Sequence, residues 1–146
     1  MPTEELEKYI FSCGFYHNKA KSIKALSKSL IDDFGGVVPN NMTDLKKLRG
    51  VGSKTANVVY AVGFGGNGLA VDTHVFRVAN RLGIVCENTP QKTEIALKKF
   101  FKEEYWSKAH HLLLFHGRYI CKSQNPDCGK CPFAEWCAFK EKKCTK

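Results

Sequence analysis

Apolar residues recur along this chain mostly three and four positions apart, the spacing of one helical face. Leu6, Tyr9, Ile10 and Cys13 share a face, and Thr3 suits the cap ahead of Glu4 and Glu5. Residues 4 to 13 therefore read as a short amphipathic helix, closed by Gly14. The turn Phe15-Tyr16-His17-Asn18 follows, with Tyr16 expected in the core. Ile23, Leu26, Leu30, Ile31 and Phe34 make the buried stripe of a second helix, about Lys19 to Phe34, stopped by Gly35-Gly36. Val37 to Asn41, around Pro39, reads as an extended connector. Thr43 to Leu48 and Lys54 to Val62 read as helices on either side of Gly50-Val51-Gly52. Val75, Phe76, Ala79 and Leu82 give another helix, with Asp72 at its cap position and Gly83 after its end. Thr89-Pro90 opens a further helix through Ile95, Leu97, Phe100 and Phe101, and a last one covers about Ser107 to Ile120. No repeat, low-complexity tract or convincing strand interrupts the pattern, so the fold class is all-α. The glycine-rich stretch 63–71 reads as a flexible link, dividing the chain into residues 1–66 and 67–146.

The 146 residues suffice for one ordinary domain or two small lobes. No apolar run approaches a membrane span, and the acidic start Met1-Pro2-Thr3-Glu4-Glu5 is no signal peptide. Seven cysteines without a secretory signal point to a reducing compartment, where clustered thiols bind metal more often than they pair. Net charge is +9, from 23 basic and 14 acidic side chains, which favours a polyanionic partner such as nucleic acid.

Three features carry candidate chemistry. Gly50 and Gly52 flank Val51, so a tight turn can present bare N–H groups at the start of the helix beginning at Lys54, a place that accepts phosphate. A helix–helix corner is the plain alternative for a lone Gly-x-Gly. Lys54 follows that turn directly, and Asp72 closes the next loop, where capping alone would account for it. Cys121, Cys128, Cys131 and Cys137 form Cys-x6-Cys-x2-Cys-x5-Cys, able to converge on a zinc ion or a four-iron cluster; spacing does not separate the two. A disulfide knot is a weaker alternative. A bound metal would pin the short polar loop Lys122 to Asp127 as a rigid surface feature. Cys13 suits an apolar face, and Cys144 lies in a lysine-rich tail expected to fray.

Taken in order, the segments Leu48 to Val59, Ala70 to Val78, His116-Gly117-Arg118-Tyr119 and the four cysteines resemble the endonuclease III family of helix–hairpin–helix DNA glycosylases. The resemblance implies a helix–hairpin–helix glycosylase fold: a partial six-helix barrel ending in the hairpin, then a helical lobe carrying a [4Fe-4S] cluster on Cys121, Cys128, Cys131 and Cys137. It implies that Gly50, Val51, Gly52 and Ser53 grip the DNA backbone beside a lesion and that Phe15 stands where an apolar wedge enters the helix. Lys54 would be the nucleophile and Asp72 the essential carboxylate.

The chemistry agrees with those roles. A glycosylase must extrude its target nucleotide, which needs a backbone grip and a filler for the gap. A neutral lysine can attack the sugar C1′, displace the base and leave a Schiff base, after which β-elimination cuts the strand. Partial burial and the nearby positive helix terminus would favour the neutral amine. Asp72 could stabilise the developing sugar cation or help move protons. Related adenine-mismatch glycosylases lack this lysine, so Lys54 implies a bifunctional glycosylase and AP lyase acting on oxidised pyrimidines.

Two departures stand out. Arg49 replaces the proline usual before the first hairpin glycine. The family also has further helices ahead of the match to Glu4, so the apolar faces around Leu6, Ile23 and Val59 are expected to lack partners. The partner expected is double-stranded DNA with damaged pyrimidines or abasic sites, bound by a monomer in the cytoplasm, with no membrane role. Two competing readings are a non-catalytic DNA-binding remnant of the family and a small iron–sulfur electron carrier; the latter predicts no salt-dependent DNA affinity.

Overall fold

A computed structural model describes residues 1–141. Cys144 and the lysine-rich tail lie outside the described residues. Among the described residues there is no strand, and the elements are α1 (Thr3–Ile10), α2 (Tyr16–Phe34), α3 (Met42–Leu45), α4 (Ser53–Val58), α5 (Thr73–Leu82), α6 (Pro90–Phe100) and α7 (Trp106–Tyr119), with short 3₁₀ turns. The chain divides into two units, Met1–Ala56 and Asn57–Lys146.

In the first unit, α1 packs on α2. α1 stops at Ile10, where the chain turns and the Cys13 N–H donates to the Ile10 carbonyl at 2.9 Å. Cys13, expected on a buried face, therefore sits past the helix end and is exposed. α2 starts three residues earlier than expected, at Tyr16, because Phe15 adopts a left-handed conformation (φ 59°, ψ 34°) and turns the chain into it. The Tyr16 ring is half-buried, edge-on to Phe11 at 5.3 Å, and His17 Nδ1 pairs with Glu7 at 2.9 Å across the α1–α2 corner. The α2 stripe is only partly covered. Leu26, Leu30 and Phe34 are half-buried, Ile23 and Ile31 are exposed, and the fully buried positions are Ala20 and Ser29. Leu6 is half-buried. Asn41 caps α3 by accepting from the Asp44 N–H at 2.9 Å, and Leu45 and Leu48 beyond it are buried.

The second unit has a continuous core of Leu69, Val71, Val75, Val78, Ala79, Val85, Leu97, Leu113 and Cys121. Burying each Val or Leu contributes on the order of 1.5–3 kcal/mol before entropy is counted. α5 supplies the centre and packs on both α7 and α6. The α5–α7 approach requires Gly117, since a Cβ there would lie 2.9 Å from the His74 Cβ and 3.1 Å from a Val78 methyl. α4 passes into a π-helical turn, Val59–Gly63, and Val59 is half-buried. The glycine-rich stretch after it is not the flexible link expected. Leu69, Ala70 and Val71 are 0%, 1% and 6% exposed, so this segment is part of the core, and the division between units falls before Asn57 instead of near residue 66. α6 and α7 lie within a residue or two of their expected spans, with Thr89 capping α6 through the Lys92 N–H at 3.3 Å.

Candidate functional site

Asp72 has backbone φ −97° and ψ −175°, and its Oδ1 accepts from the N–H groups of His74 (2.9 Å) and Val75 (2.8 Å). It is thus the N-cap of α5, with a carboxylate at the positive end of a helix. Both cap bonds fall on Oδ1, and Oδ2 takes part in neither. The side chain is half-buried, held between solvent and the core beneath Val71 and Val75.

The Gly50-Val51-Gly52 turn forms as the spacing implied. Gly50 has φ +81°, which an L side chain rarely adopts, and a Cβ there would also meet the Ser22 Cβ at 3.4 Å. The Val51 N–H closes the turn on the Leu48 carbonyl at 3.1 Å. The Ala56 N–H bonds back to Gly52 at 2.9 Å, so α4 begins immediately after Gly52 and its first-turn amides have no acceptor within the helix. Ser53 is half-buried. Lys54, in the first turn of α4, is exposed, so the partial burial expected to favour its neutral form is not provided by the described residues. Phe15 is 85% exposed at the head of α2. A bulky residue in the left-handed region is unusual, and such strain gathers at functional positions. Phe15, the hairpin and Lys54 belong to the first unit; Asp72 and the four cysteines belong to the second.

The four cysteines line one cavity together with Leu82, His116, Ile120 and Phe139. Cys121 is buried and Cys128, Cys131 and Cys137 are half-buried, all as free thiols, so a disulfide knot is not the arrangement. A zinc ion would draw its ligands to about 2.3 Å from one point. Four thiols facing one cavity can hold either metal centre that their spacing allows. Burial pushes the His116 imidazole below its usual pKa, and its Nε2 lies 3.5 Å from the Cys131 Sγ.

Two arginines that sequence reading passed over hold this loop to α5. Arg77 donates from Nε to the Cys121 carbonyl (3.0 Å) and from Nη2 to the Gly117 carbonyl (2.8 Å). Arg81, one turn on, donates to the carbonyls of Lys122 (2.7 Å) and Ser123 (3.0 Å), and its guanidinium stacks 4.2 Å over the Phe139 ring. Lys122 and Ser123, at the start of the loop that a metal was expected to pin, are therefore held by Arg81. The i, i+4 spacing of the two arginines was the one available sign, and it also fits a solvated helix face.

The glycine hairpin followed by a lysine, the capping aspartate and the four-thiol loop are thus all present in an all-helical chain. Residues 1–103 match the HhH-GPD superfamily base excision DNA repair protein model, and residues 121–137 match the iron–sulfur binding domain of endonuclease III. The chain belongs to the HhH-GPD superfamily of base excision DNA repair proteins, and its cofactor is a [4Fe-4S] cluster. Endonuclease III of Rickettsia felis is 50% identical over 134 residues, covering 92% of this chain and 63% of the relative. Endonuclease III of Bacillus subtilis is 49% identical over 144 residues, covering 98% and 66%. A solved endonuclease III–DNA covalent intermediate, trapped as an estranged-adenine complex, superposes with a TM-score of 0.93 at 47% identity and covers 97% of this chain and 67% of that one. The chain thus spans about two thirds of the length of these relatives, and slightly less for the first two.

Proposed function

We propose that this protein acts in base excision repair as a bifunctional DNA N-glycosylase and AP lyase, removing oxidised pyrimidines from double-stranded DNA. The observation that carries this reading is Lys54, exposed in the first turn of α4 immediately after the Gly50–Gly52 turn. A backbone phosphate taken by Gly50, Val51, Gly52 and Ser53 brings the deoxyribose within reach of that amine. The neutral amine attacks C1′ and gives up a proton, and the glycosidic bond breaks with its electron pair leaving on the base, which takes up a proton. Opening of the C1′–O4′ bond, with a proton going to O4′, gives a Schiff base from which loss of a C2′ proton drives β-elimination of the 3′ phosphate. Asp72, through Oδ2, stabilises positive charge on the sugar. Phe15 fills the gap left by the extruded nucleotide. Cys121, Cys128, Cys131 and Cys137 would hold the [4Fe-4S] cluster, whose bonds to their thiolates would fix the 121–137 loop. The covalent protein–DNA intermediate trapped for the solved relative is the kind of species a lysine nucleophile makes. We place the protein as a monomer in the cytoplasm, where its thiols stay reduced.

The test is borohydride trapping. Cluster-loaded protein is incubated with duplex DNA containing an abasic site, reduced, and resolved by denaturing electrophoresis. The expected result is a covalent complex from the wild type and none from Lys54→Ala. A loaded wild-type protein that binds the duplex with steep salt dependence yet yields no complex would overturn the catalytic reading and leave a DNA-binding protein.

A further inference from the structure

The loop that ends in Asp72 has no regular secondary structure, yet two side chains hold consecutive residues of it. On Leu69, the buried N–H donates to Asn57 Oδ1 at 3.2 Å. On Ala70, the carbonyl lies 2.7 Å from His110 Nδ1. A carbonyl only accepts, so Nδ1 is the protonated nitrogen of His110 and the bond runs from α7 to the loop. Asn57, 1% exposed, is itself oriented from behind. Its Nδ2 donates to Glu94 Oε1 at 3.1 Å, and Lys98 Nζ lies 2.7 Å from the same oxygen and 3.4 Å from Asn57 Oδ1. That ion pair is itself shielded, with Lys98 and Glu94 side chains 25% and 13% exposed and the ammonium 5.2 Å from the Trp106 ring. All of these groups lie within the second unit.

We infer that Asn57 and His110 are positioning residues for Asp72: they grip Leu69 and Ala70 from two sides and so set where the carboxylate sits on the first turn of α5. The physical reason is that the Asn57 and His110 bonds are directional. Apolar burial of Leu69, Ala70 and Val71 is non-directional and tolerates small slides, whereas two hydrogen bonds of fixed geometry do not. Catalytic groups need placement to a fraction of an ångström, and hydrogen-bonded neighbours give it. The inference deepens the proposed role of Asp72 and rests on it for its catalytic consequence; the clamp itself is a statement about the fold.

The experiment has one arm that needs no activity. Amide exchange is measured by NMR on loaded protein for wild type, Asn57→Ala, His110→Phe and His110→Asn, the last of which keeps an N–H donor near the position of Nδ1. Protection of the His74 and Val75 amides, which report the Asp72 cap, should fall about fivefold in Asn57→Ala and His110→Phe. It should return in His110→Asn, while Val78 and Ala79 keep wild-type protection throughout. Unchanged protection at His74 and Val75 overturns the inference. So does an equal loss along the whole of α5, which would make these groups general supports of the helix.

The second arm measures single-turnover base release. Asn57→Ala and His110→Phe should lower the rate with DNA affinity unchanged, and should add no further loss to Asp72→Asn, because residues acting through one group are not additive. Additive losses overturn the positioning role. A wild-type chain that releases no base overturns the proposed function instead, and the exchange arm still decides the clamp.

Discussion

In the unit Asn57–Lys146 the apolar stripes of α5, α6 and α7 meet, and Val75, Val78 and Leu97 are wholly excluded from solvent. In the unit Met1–Ala56 the longest helix of the chain, α2, shows Ile31 at 67% exposure and buries mainly Ala20 and Ser29 along its length. The two units also carry different parts of the chemistry. The first presents Phe15, the glycine hairpin and Lys54; the second holds Asp72 and the four thiols on a packed frame. Under the proposed function, the groups that would meet DNA are thus on the loosely cored unit, and the carboxylate and cluster ligands are on the densely cored one. Local opening is expected to be easier in the first, where few apolar contacts must be broken.

Core truncation should expose that contrast most strongly. Leu97→Ala removes a fully buried side chain from the second unit and should cost about 2–5 kcal/mol. Ile31→Ala removes a mostly exposed one and should stay within about 0.5 kcal/mol. Denaturant titration of the loaded protein checks both, and a comparable loss from Ile31→Ala would mean that the α2 face is covered in solution.

Next in size is the separation of cap from chemistry at Asp72. Asparagine caps as well as aspartate, so Asp72→Asn should leave the melting temperature nearly unchanged, whereas Asp72→Ala should destabilise by about 1 kcal/mol. Under the proposed mechanism both lose the charge that stabilises the sugar cation, and single-turnover base release should fall about 100-fold or more in each. If Asp72→Asn released base at the wild-type rate, the carboxylate would be a cap and nothing else.

What was legible beforehand follows the range of the interaction concerned. The Asp72 cap, the Thr89-Pro90 start and the Gly50 turn depend on residues within four positions, and each lies where the sequence pattern put it. Cysteine spacing likewise announced a metal loop, though not which metal, because ligand distances are set by the folded loop. The α2 stripe shows the limit of periodicity: it tells which residues share a face, not what covers that face. The stretch 63–71 shows another, since glycines forbid regular structure without forbidding burial, and the apolar Leu69-Ala70-Val71 was the contrary sign. Asn57, His110, Arg77 and Arg81 act on partners 12 to 44 positions away, and apart from the i, i+4 spacing of the two arginines no local rule marks them.

The smallest effect concerns the approach to the hairpin in the first unit. Lys47 Nζ donates to the Asp44 carboxylate at 2.6 Å and Asn41 Nδ2 donates at 2.9 Å, and these two donors hold the Asp44 carboxyl below its usual pKa. A carboxyl depressed in the folded state contributes stability above its unfolded value, about 3.9, and that contribution is lost as pH falls through the lower folded value. The α3 turn should therefore loosen only on acidification below about pH 4, with no change between pH 5 and 8. Carboxyl carbon shifts of Asp44 followed by NMR should give a midpoint below that of a free aspartate, moving up in Lys47→Gln. Because the group is solvated, the melting temperature should barely respond. A midpoint at the ordinary aspartate value in the wild type would show that the Asn41–Asp44–Lys47 contacts are too transient to order the turn, and the first unit would then be looser still than its thin core implies.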